Sequence, residues 1–468
     1  MTISKSVHPQ YDEYKGDWQQ CRDAYKGQKA IKARGAKYLP KLGGMTESEY
    51  LAYKERALFY SITAKTVTAM VGMAMSRQPV LKYPDEMKPY FEDAGGIQMT
   101  ELYQKTLVET ILMGRVGVLV DRPVTGGDIL LATYITEAIT NWFLDAMGKP
   151  TLIVLAESTE TVDANDSYSV SFVKVFRKLF INAAGVYQVE LYDELDQQIG
   201  ATITPTLGGR ELNYIPFYVV NPNGISWDVE SPPMLDIVDI NISHYRTSAD
   251  LEHGRHWTGL PTPVVSGVDV GSVLKIGSQA AWILPNENAK AYMLEFTGQG
   301  LQSLEKALAE KQSQLASMSS RLMDNSKRGS ESPDTVRLRF VSETATLVSI
   351  VRSIEAFINT IYKAVAEIEG TNPDDVTIQL NKEFLDTKLS SAEIRELVSA
   401  YLEGAMSKET LVFNLRRGDL LSSVRSDESE IDFLIASEVE RKKKEKQDGT
   451  QISGGNAGGT GSGSSGAV

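Results

Sequence analysis

Residues 300–334 read GLQSLEKALAEKQSQLASMSSRLMDNSKRGSESPD, two unlike halves in one stretch. In the first half Leu301, Leu304, Leu308, Leu315, Met318 and Leu322 recur in a heptad pattern that only Lys311 interrupts. That spacing puts one apolar stripe along a helix. At 1.5 Å per residue, about 22 residues make a rod of roughly 33 Å. Its outer face, Glu305, Lys306, Glu310, Gln312 and Gln314, is polar throughout. The second half, from Met323, has turn chemistry and a single apolar residue, so it reads as a loop with Lys327 and Arg328 at its tip.

Outward from this stretch, more helices are legible. Downstream, Leu347, Ile350, Val351, Ile354, Phe357, Ile358, Ile361, Val365 and Ile368 form the broadest apolar stripe in the chain, ending at Gly370 with Pro373 beyond. Upstream, Pro232-Pro233 opens a helix carrying Leu235, Val238, Ile242, Tyr245 and Ala249 to about Trp257. Between these rods, Pro263–Ser266, Gln279–Leu284 and Ala291–Phe296 read as a small β insertion. Gly117–Val120, Thr151–Leu155, Ser169–Phe176, Tyr187–Tyr192 and Ile215–Val220 read as strands. Gly208-Gly209-Arg210 reads as a turn. Nearer the start, Thr46 and Glu49 form a capping box. Tyr50, Tyr53, Ala57, Tyr60, Ala64, Val67, Val71 and Met75 then follow at helical spacing, predicting one long helix before Pro79. The first 40 residues predict short helix and loop. Ser390 and Glu393 make a second capping box, opening short helices to about Glu440. The Gly/Ser/Ala-rich end, Ser453–Val468, cannot bury enough surface to fold. The fold class expected is α+β and helix-rich.

The 468 residues carry 48 Lys and Arg against 61 Asp and Glu, a formal charge of −13. That balance argues against a nucleic-acid coat, which draws its affinity from neutralised phosphates. One cysteine, Cys21, excludes an internal disulfide framework and fits a reducing compartment. No apolar run approaches a bilayer span, and the start of the chain lacks the apolar core of a secretory signal. The expectation is no membrane, and a protein of the cytosol or of a particle assembled there.

Searches for reaction chemistry give no catalytic residue, no cofactor and no metal. No phosphate-binding GxxxxGK[ST] loop and no GxSxG nucleophile turn occurs. His253 and His256 share a helix face with Asp250 and Glu252 near, short of the convergent ligands a metal needs; a polar helix end is the plainer reading. Seven cations between Arg22 and Lys41, interleaved with Tyr25 and Tyr38, read either as phosphate contacts or as a solvated face or subunit contact. Lys327-Arg328 by itself reads as a solvated loop tip.

The order of long helix, β insertion, long helix, loop and long apolar helix resembles tailed-phage portal proteins. The resemblance is carried further by Trp18, Cys21-Arg22-Asp23, Tyr38-Leu39-Pro40, Tyr50–Ala57, Thr63–Val67 and Arg77-Gln78-Pro79, and by Ile215-Pro216-Phe217, Gly259–Pro263 and Ser342–Ala345. These are similar to a portal-like phage family bearing a domain of unknown function, over about residues 15–370. The resemblance implies a homo-dodecameric ring at one capsid vertex of a virion assembled in the host cytoplasm. Double-stranded DNA would pass through it without sequence recognition. The terminase large subunit, then a head–tail adaptor, would dock on it, with the major capsid or scaffolding protein around it. It further implies a wing at 1–232, stem helices at 233–257 and 300–323, a clip at 258–299 and a tunnel loop at 324–335. A long wing helix would follow at 336–375, a crown-like helical region at 376–440 and a disordered tail at 441–468. On that plan Lys327 and Arg328 would meet DNA, and Trp282 and Tyr292 would anchor terminase or adaptor unless they form the small domain's own core. Leu301, Leu304, Leu308, Leu315, Met318 and Leu322 would form the seam between subunits. The alternatives are a non-portal scaffold or adaptor of a particle or cytosolic assembly, and a hydrolase.

Overall fold

The computed structural model describes residues 2–93, 98–122, 129–163, 166–207, 209–259, 262–267, 288–294, 298–320, 333–384, 391–417, 421, 429–433 and 435–437. Two compact units divide the chain at Phe384/Leu385. The first is α+β. Its helical part opens with α1 (Pro9–Lys26), α2 (Gln28–Ala33), α3 (Glu47–Arg56) and α4 (Ile62–Ala74). Strand β1 (Val80–Lys82), then α5 (Lys88–Asp93) and α6 (Met99–Met113), lead into β2 (Val116–Asp121), β3 (Leu130–Ile135) and β4 (Ile139–Leu144). There follow β5 (Pro150–Asp163), β6 (Asp166–Ile181), β7 (Tyr187–Tyr192), β8 (Gln198–Ile203), β9 (Thr206–Leu207), β10 (Arg210–Glu211) and β11 (Phe217–Val220). The unit closes with α7 (Leu235–Gly259), β12 (Thr262–Ser266), β13 (Lys290–Leu294), α8 (Gln299–Ser320), α9 (Pro333–Ile368) and β14 (Thr377–Gln379).

The residues at the start of the chain form more helix than their glycines and lysines suggest. His8 caps α1, its Nδ1 accepting from the Gln10 amide, and Pro9 occupies the first turn, where its missing N–H costs nothing. Gly27, at φ +83°, ends α1 in a conformation that a side chain would strain. Thr46 and Glu49 close the capping box of α3 as its spacing predicts. The single long helix expected from Tyr50 to Met75 is instead two. The chain is extended at Ala57, and distant side chains take over the backbone there. Gln28 Oε1 accepts from the Phe59 amide and Asn241 Nδ2 donates to the Tyr60 carbonyl, offsetting the lost helical bonds.

One half-buried cation, Arg22, links the layers. Arg22 on α1 donates two hydrogen bonds to Glu109 of α6, at 2.7 and 2.8 Å, and two to Glu137 in the turn before β4, both at 2.8 Å. Asp23 accepts from the Tyr38 hydroxyl and from Arg34, while Lys26, Lys29 and Lys37 of the same basic segment are exposed. Lys32 caps the Glu55 carbonyl and Lys41 pairs with Glu47. Burial, with Asp17 and Asp239 nearby, pushes the Cys21 thiol up to about 12, so it behaves as a small apolar group.

Strand β2 sits between β11 and β3, which explains its unbroken apolar run from Val116 to Val120. Gly117 is required there: a Cβ would overlap the Phe217 ring. A separate antiparallel meander runs β4-β5-β6-β7-β8. Where the two sheets meet, Arg115 is wholly buried, its guanidinium 4.1 Å from the Trp142 ring centroid and 5.8 Å from that of Trp227. Burial pulls its pKa down to about 9. His8 stacks on Trp142 at 3.8 Å.

Helix α9 is the spine of the unit. Ile350, Val351, Ile354, Phe357, Ile358, Ile361, Tyr362 and Val365 are all buried, the stripe the sequence predicts, and Gly370 follows at φ +77°. Its first residues, 333–335, are helical where a loop to 335 was expected. β14 pairs with β1 and docks on α9 through Asn359, which accepts from the Ile378 amide, and Glu355, which accepts from the Leu380 amide. Residues 376–384 therefore belong to this unit. In the second unit, α10 (Ser391–Leu402) turns through Gly404 into α11 (Lys408–Arg417), which Ser407 caps by accepting from the Thr410 amide. Ser390 of the second capping box and the tail after 441 lie outside the described residues.

Replacing Arg22 with Ala would leave the Glu109 and Glu137 carboxylates facing each other without a cation. Removing one partner of such a pair costs about 3–5 kcal/mol. The expected outcome is a melting temperature several degrees lower, only partly restored by Arg22→Lys, whose ammonium cannot fork two carboxylates. An unchanged melt would show that the bridge contributes little.

Candidate functional site

The residues that remain after the core is accounted for converge on α7, α8 and the hairpin joining them. Asn241 and Asp250 fasten α7 to the helical layer: Thr63 Oγ1 donates to Asn241 Oδ1 at 3.1 Å and the Tyr53 hydroxyl to Asp250 Oδ1 at 2.5 Å. Arg246 Nε donates to the Tyr38 carbonyl. Ile237, Val238, Ile242, Tyr245 and Ala249 are buried, whereas Arg255–Trp257 are exposed. Helix α8 follows the same gradient in reverse. Leu315 is 1% exposed and Ser319 bonds Thr66 of α4, but polar residues dominate its start. Both helices are therefore rooted in the core at one end and reach solvent at the other.

Their contacts march in opposite directions, which makes the pair antiparallel. A Cβ at Gly254 would meet Leu301, Arg255 pairs with Glu305, Lys311 Nζ donates to Thr247 Oγ1 and the Ser243 carbonyl, and Gln312 Nε2 lies 3.2 Å from His244 Nε2. Lys311, the break in the heptad, thus reaches across to α7. Burial holds its pKa below the usual lysine value, with Asp250 only partly opposing.

Within one chain the leucine stripe already has partial cover. Leu301, Leu304, Leu308 and Met318 are half-buried and Leu315 is fully covered within one chain, the stripe facing α7 and, at its rooted end, the core. A heptad stripe declares that it needs cover; it does not declare whether the cover is a neighbouring copy or a helix sixty residues upstream. Leu322 lies outside the described residues.

At the outer end, β12 and β13 form an antiparallel hairpin in which Val264 faces Tyr292. Tyr292 is 55% exposed and Met293, Leu294 and Trp257 are also exposed, so Tyr292 is not part of a core among the described residues. The sequence marks Trp257 only as a helix end, because no pattern around it points to a surface. Trp282, Lys327 and Arg328 lie outside the described residues, as do the candidate strand Gln279–Leu284 and most of the 324–335 loop.

The histidines serve structure here. His253 Nε2 accepts from Trp257 Nε1 at 3.1 Å, and its Nδ1 lies 3.4 Å from Arg56. Among the described residues no group of three or more His, Cys, Asp or Glu is placed to hold a metal ion, and no helix is long and apolar enough to cross a membrane.

Residues 233–367, which hold α7, the hairpin, α8 and nearly all of α9, match the family model described as a domain of unknown function, DUF4055. No curated protein matches the chain. Among solved structures, the chain is similar to one titled as the neck of an empty GTA particle computed with C6 symmetry. That likeness has 12% identity over 85% of this chain and 100% of that one, with a TM-score of 0.40. It is also similar to a chain from the virion of a native gene transfer agent particle, at 11% identity over 82% and 97%, TM-score 0.38. A third is from the neck of a native GTA particle computed with C12 symmetry, at 11% identity over 76% and 89%, TM-score 0.36.

His244, inside the helix pair, has its pKa lowered first by burial and then by Lys311. The unfolded chain then binds the proton first, so stability is full above the ordinary value near 6.5 and falls as pH drops through the lower folded value. His8 and His253 are shifted the same way. Melting temperature should therefore fall between pH 7.5 and 5.5, and His244→Gln should shrink that fall. An equal fall in the variant would remove His244 from the account.

Proposed function

We propose that the chain is a subunit of a ring-shaped portal at one vertex of a phage capsid, a channel through which double-stranded DNA is packaged and later ejected. The observation that carries this reading is the antiparallel α7–α8 pair, rooted in the core at one end and bearing the β12–β13 hairpin at the other. The order of elements that resembles portals runs through this pair, while the quoted portal-like stretches fall mostly in residues 18–79.

The physical demands of such a channel fit the residues. A rod beside moving DNA must be covered on its inner edge and polar outside. In α8 the leucine stripe is covered by α7, and Glu305, Lys306, Glu310 and Gln314 remain exposed. Neighbouring subunits then meet through the pair's polar flanks and its half-buried margins. Twelve copies of a chain with charge −13 carry a formal charge of about −150. An acidic channel repels phosphate, so DNA slides where a basic one would hold it. Lys327 and Arg328, between the second rod and α9, would give local phosphate contacts that read no sequence. The exposed apolar hairpin, Tyr292 with Trp257, would be the docking end for the terminase large subunit and then a head–tail adaptor. We propose no catalytic role: terminase would supply the energy.

Mass photometry of the purified chain tests this directly. Twelve subunits of 51.5 kDa give a particle of roughly 620 kDa. A single peak at one chain's mass would contradict the ring and favour a non-portal scaffold or adaptor. In phage particles, Lys327→Ala/Arg328→Ala is expected to reduce the DNA retained after packaging; unchanged retention would remove the loop's charge from the mechanism.

A further inference from the structure

β4 ends its sheet, and the start of the chain is tied to it. The His8 amide donates to the Thr140 carbonyl at 3.0 Å, and Asn141 Nδ2 donates to the Ser6 carbonyl at 3.3 Å. Further along, the Ser4 amide donates to Asp196 Oδ1 at 2.8 Å, in the turn between β7 and β8. Residues 2–8 are thus a strap laid on the meander. Thr2, Lys5, Ser6 and Val7 are exposed, so the strap has little buried surface of its own and opens at low cost. Its hold rests on the one ring it carries, His8.

That ring has two duties. It stacks on Trp142, the centroids 3.8 Å apart and the planes at 19°, and its Nδ1 accepts from the Gln10 amide to cap α1. The Arg115 guanidinium stands over the same indole, 4.1 Å from its centroid. Two groups so close to one ring centre occupy its opposite faces. Arg115 is wholly buried, and none of its guanidinium nitrogens has a hydrogen-bond partner among the described residues. Its charge therefore reaches His8 with little to offset it.

A proton on His8 undoes both duties. Imidazolium has no acceptor, so the cap bond to Gln10 is lost, and a cation is left at the positive end of α1. An indole face ordinarily attracts such a cation, but the other face of Trp142 already carries one. Of the carboxylates nearby, Asp12 in the first turn of α1 is paired with Lys15, and Glu137 before β4 is held by Arg22.

We propose that residues 2–8 form a proton-released strap: neutral His8 seats it on the edge strand, and protonation of His8 lifts it and uncovers Trp142. Burial first, and Arg115 second, hold the His8 pKa below its ordinary value of 6.5. A lifted strap binds the proton before a seated one does, so the strap is fully held above that value and loosens as the pH falls below it. The strap belongs to one chain and does not depend on the ring proposed above.

Hydrogen exchange of the full chain at pH 7.5 and 5.5, corrected for intrinsic rates, tests this on the fragment holding residues 1–14. Strap protection is expected to fall severalfold and by no more than about tenfold, the limit for one proton with an open-state value near 6.5. Fragments of α9 should keep their protection. His8→Phe keeps the stack and His8→Asn keeps a capping side chain, but neither takes up a proton, so in both the fall should vanish. Circular dichroism confirms that each is folded. A wild type with no fall would overturn the proposal. So would an equal fall in either variant, which would trace it to another group such as Asp196, or an equal fall in α9, which would make it a general loosening.

Discussion

One guanidinium holds the first unit together across its layers. Arg22 reaches from α1 to a carboxylate on α6 and to another just before β4, so the helical layer and the meander share a charged hinge-pin. Each of the three groups would be costly to bury alone; as a fourfold-bonded cluster they fix the angle at which α1 crosses α6. Everything that projects depends on that fixed layer. α7 is fastened to it through Thr63, Tyr53 and the Tyr38 carbonyl, and α8 is fastened mainly to α7.

This dependence gives the basic start of the chain a plain meaning. The sequence offers phosphate contacts, a solvated face or a subunit contact for these cations; Arg22, Arg34, Lys32 and Lys41 are engaged with partners inside the same chain, and Lys26, Lys29 and Lys37 are exposed. Trp18, Cys21 and Asp23, the residues of the quoted resemblance, are buried around them. A stretch can look like an interface because it is charged and aromatic, and be a structural clasp for the same reasons.

The long rods were legible because their apolar stripes repeat with the helical period over many turns. α9 shows this most plainly, from Leu347 to Val365. Three features were not legible, each for a long-range reason. The break at Ala57–Ser61 preserves helical spacing but is imposed by Gln28 and Asn241, distant in sequence. The leucine stripe of α8 specifies burial without specifying the partner, so covering by α7 could not be told from covering by a neighbour. The β5–β6 hairpin reads as ordinary alternating strands, and only the pairing shows that it runs on past Leu155 and Phe176, where β4 and β7 stop pairing with it. Of the candidate site, Tyr292 could be placed on an exposed strand, whereas Trp282 and the Lys327-Arg328 tip lie outside the described residues.

The central claim is that the paired rods stand around an opening. An electron-microscopic reconstruction of the purified full-length chain measures this most directly. The account predicts a closed ring with an open axis, the α7–α8 pairs disposed about it and the β12–β13 hairpins gathered at one rim. A particle with no axial opening, or one whose α7–α8 pairs lie on the outer circumference away from the axis, would contradict it.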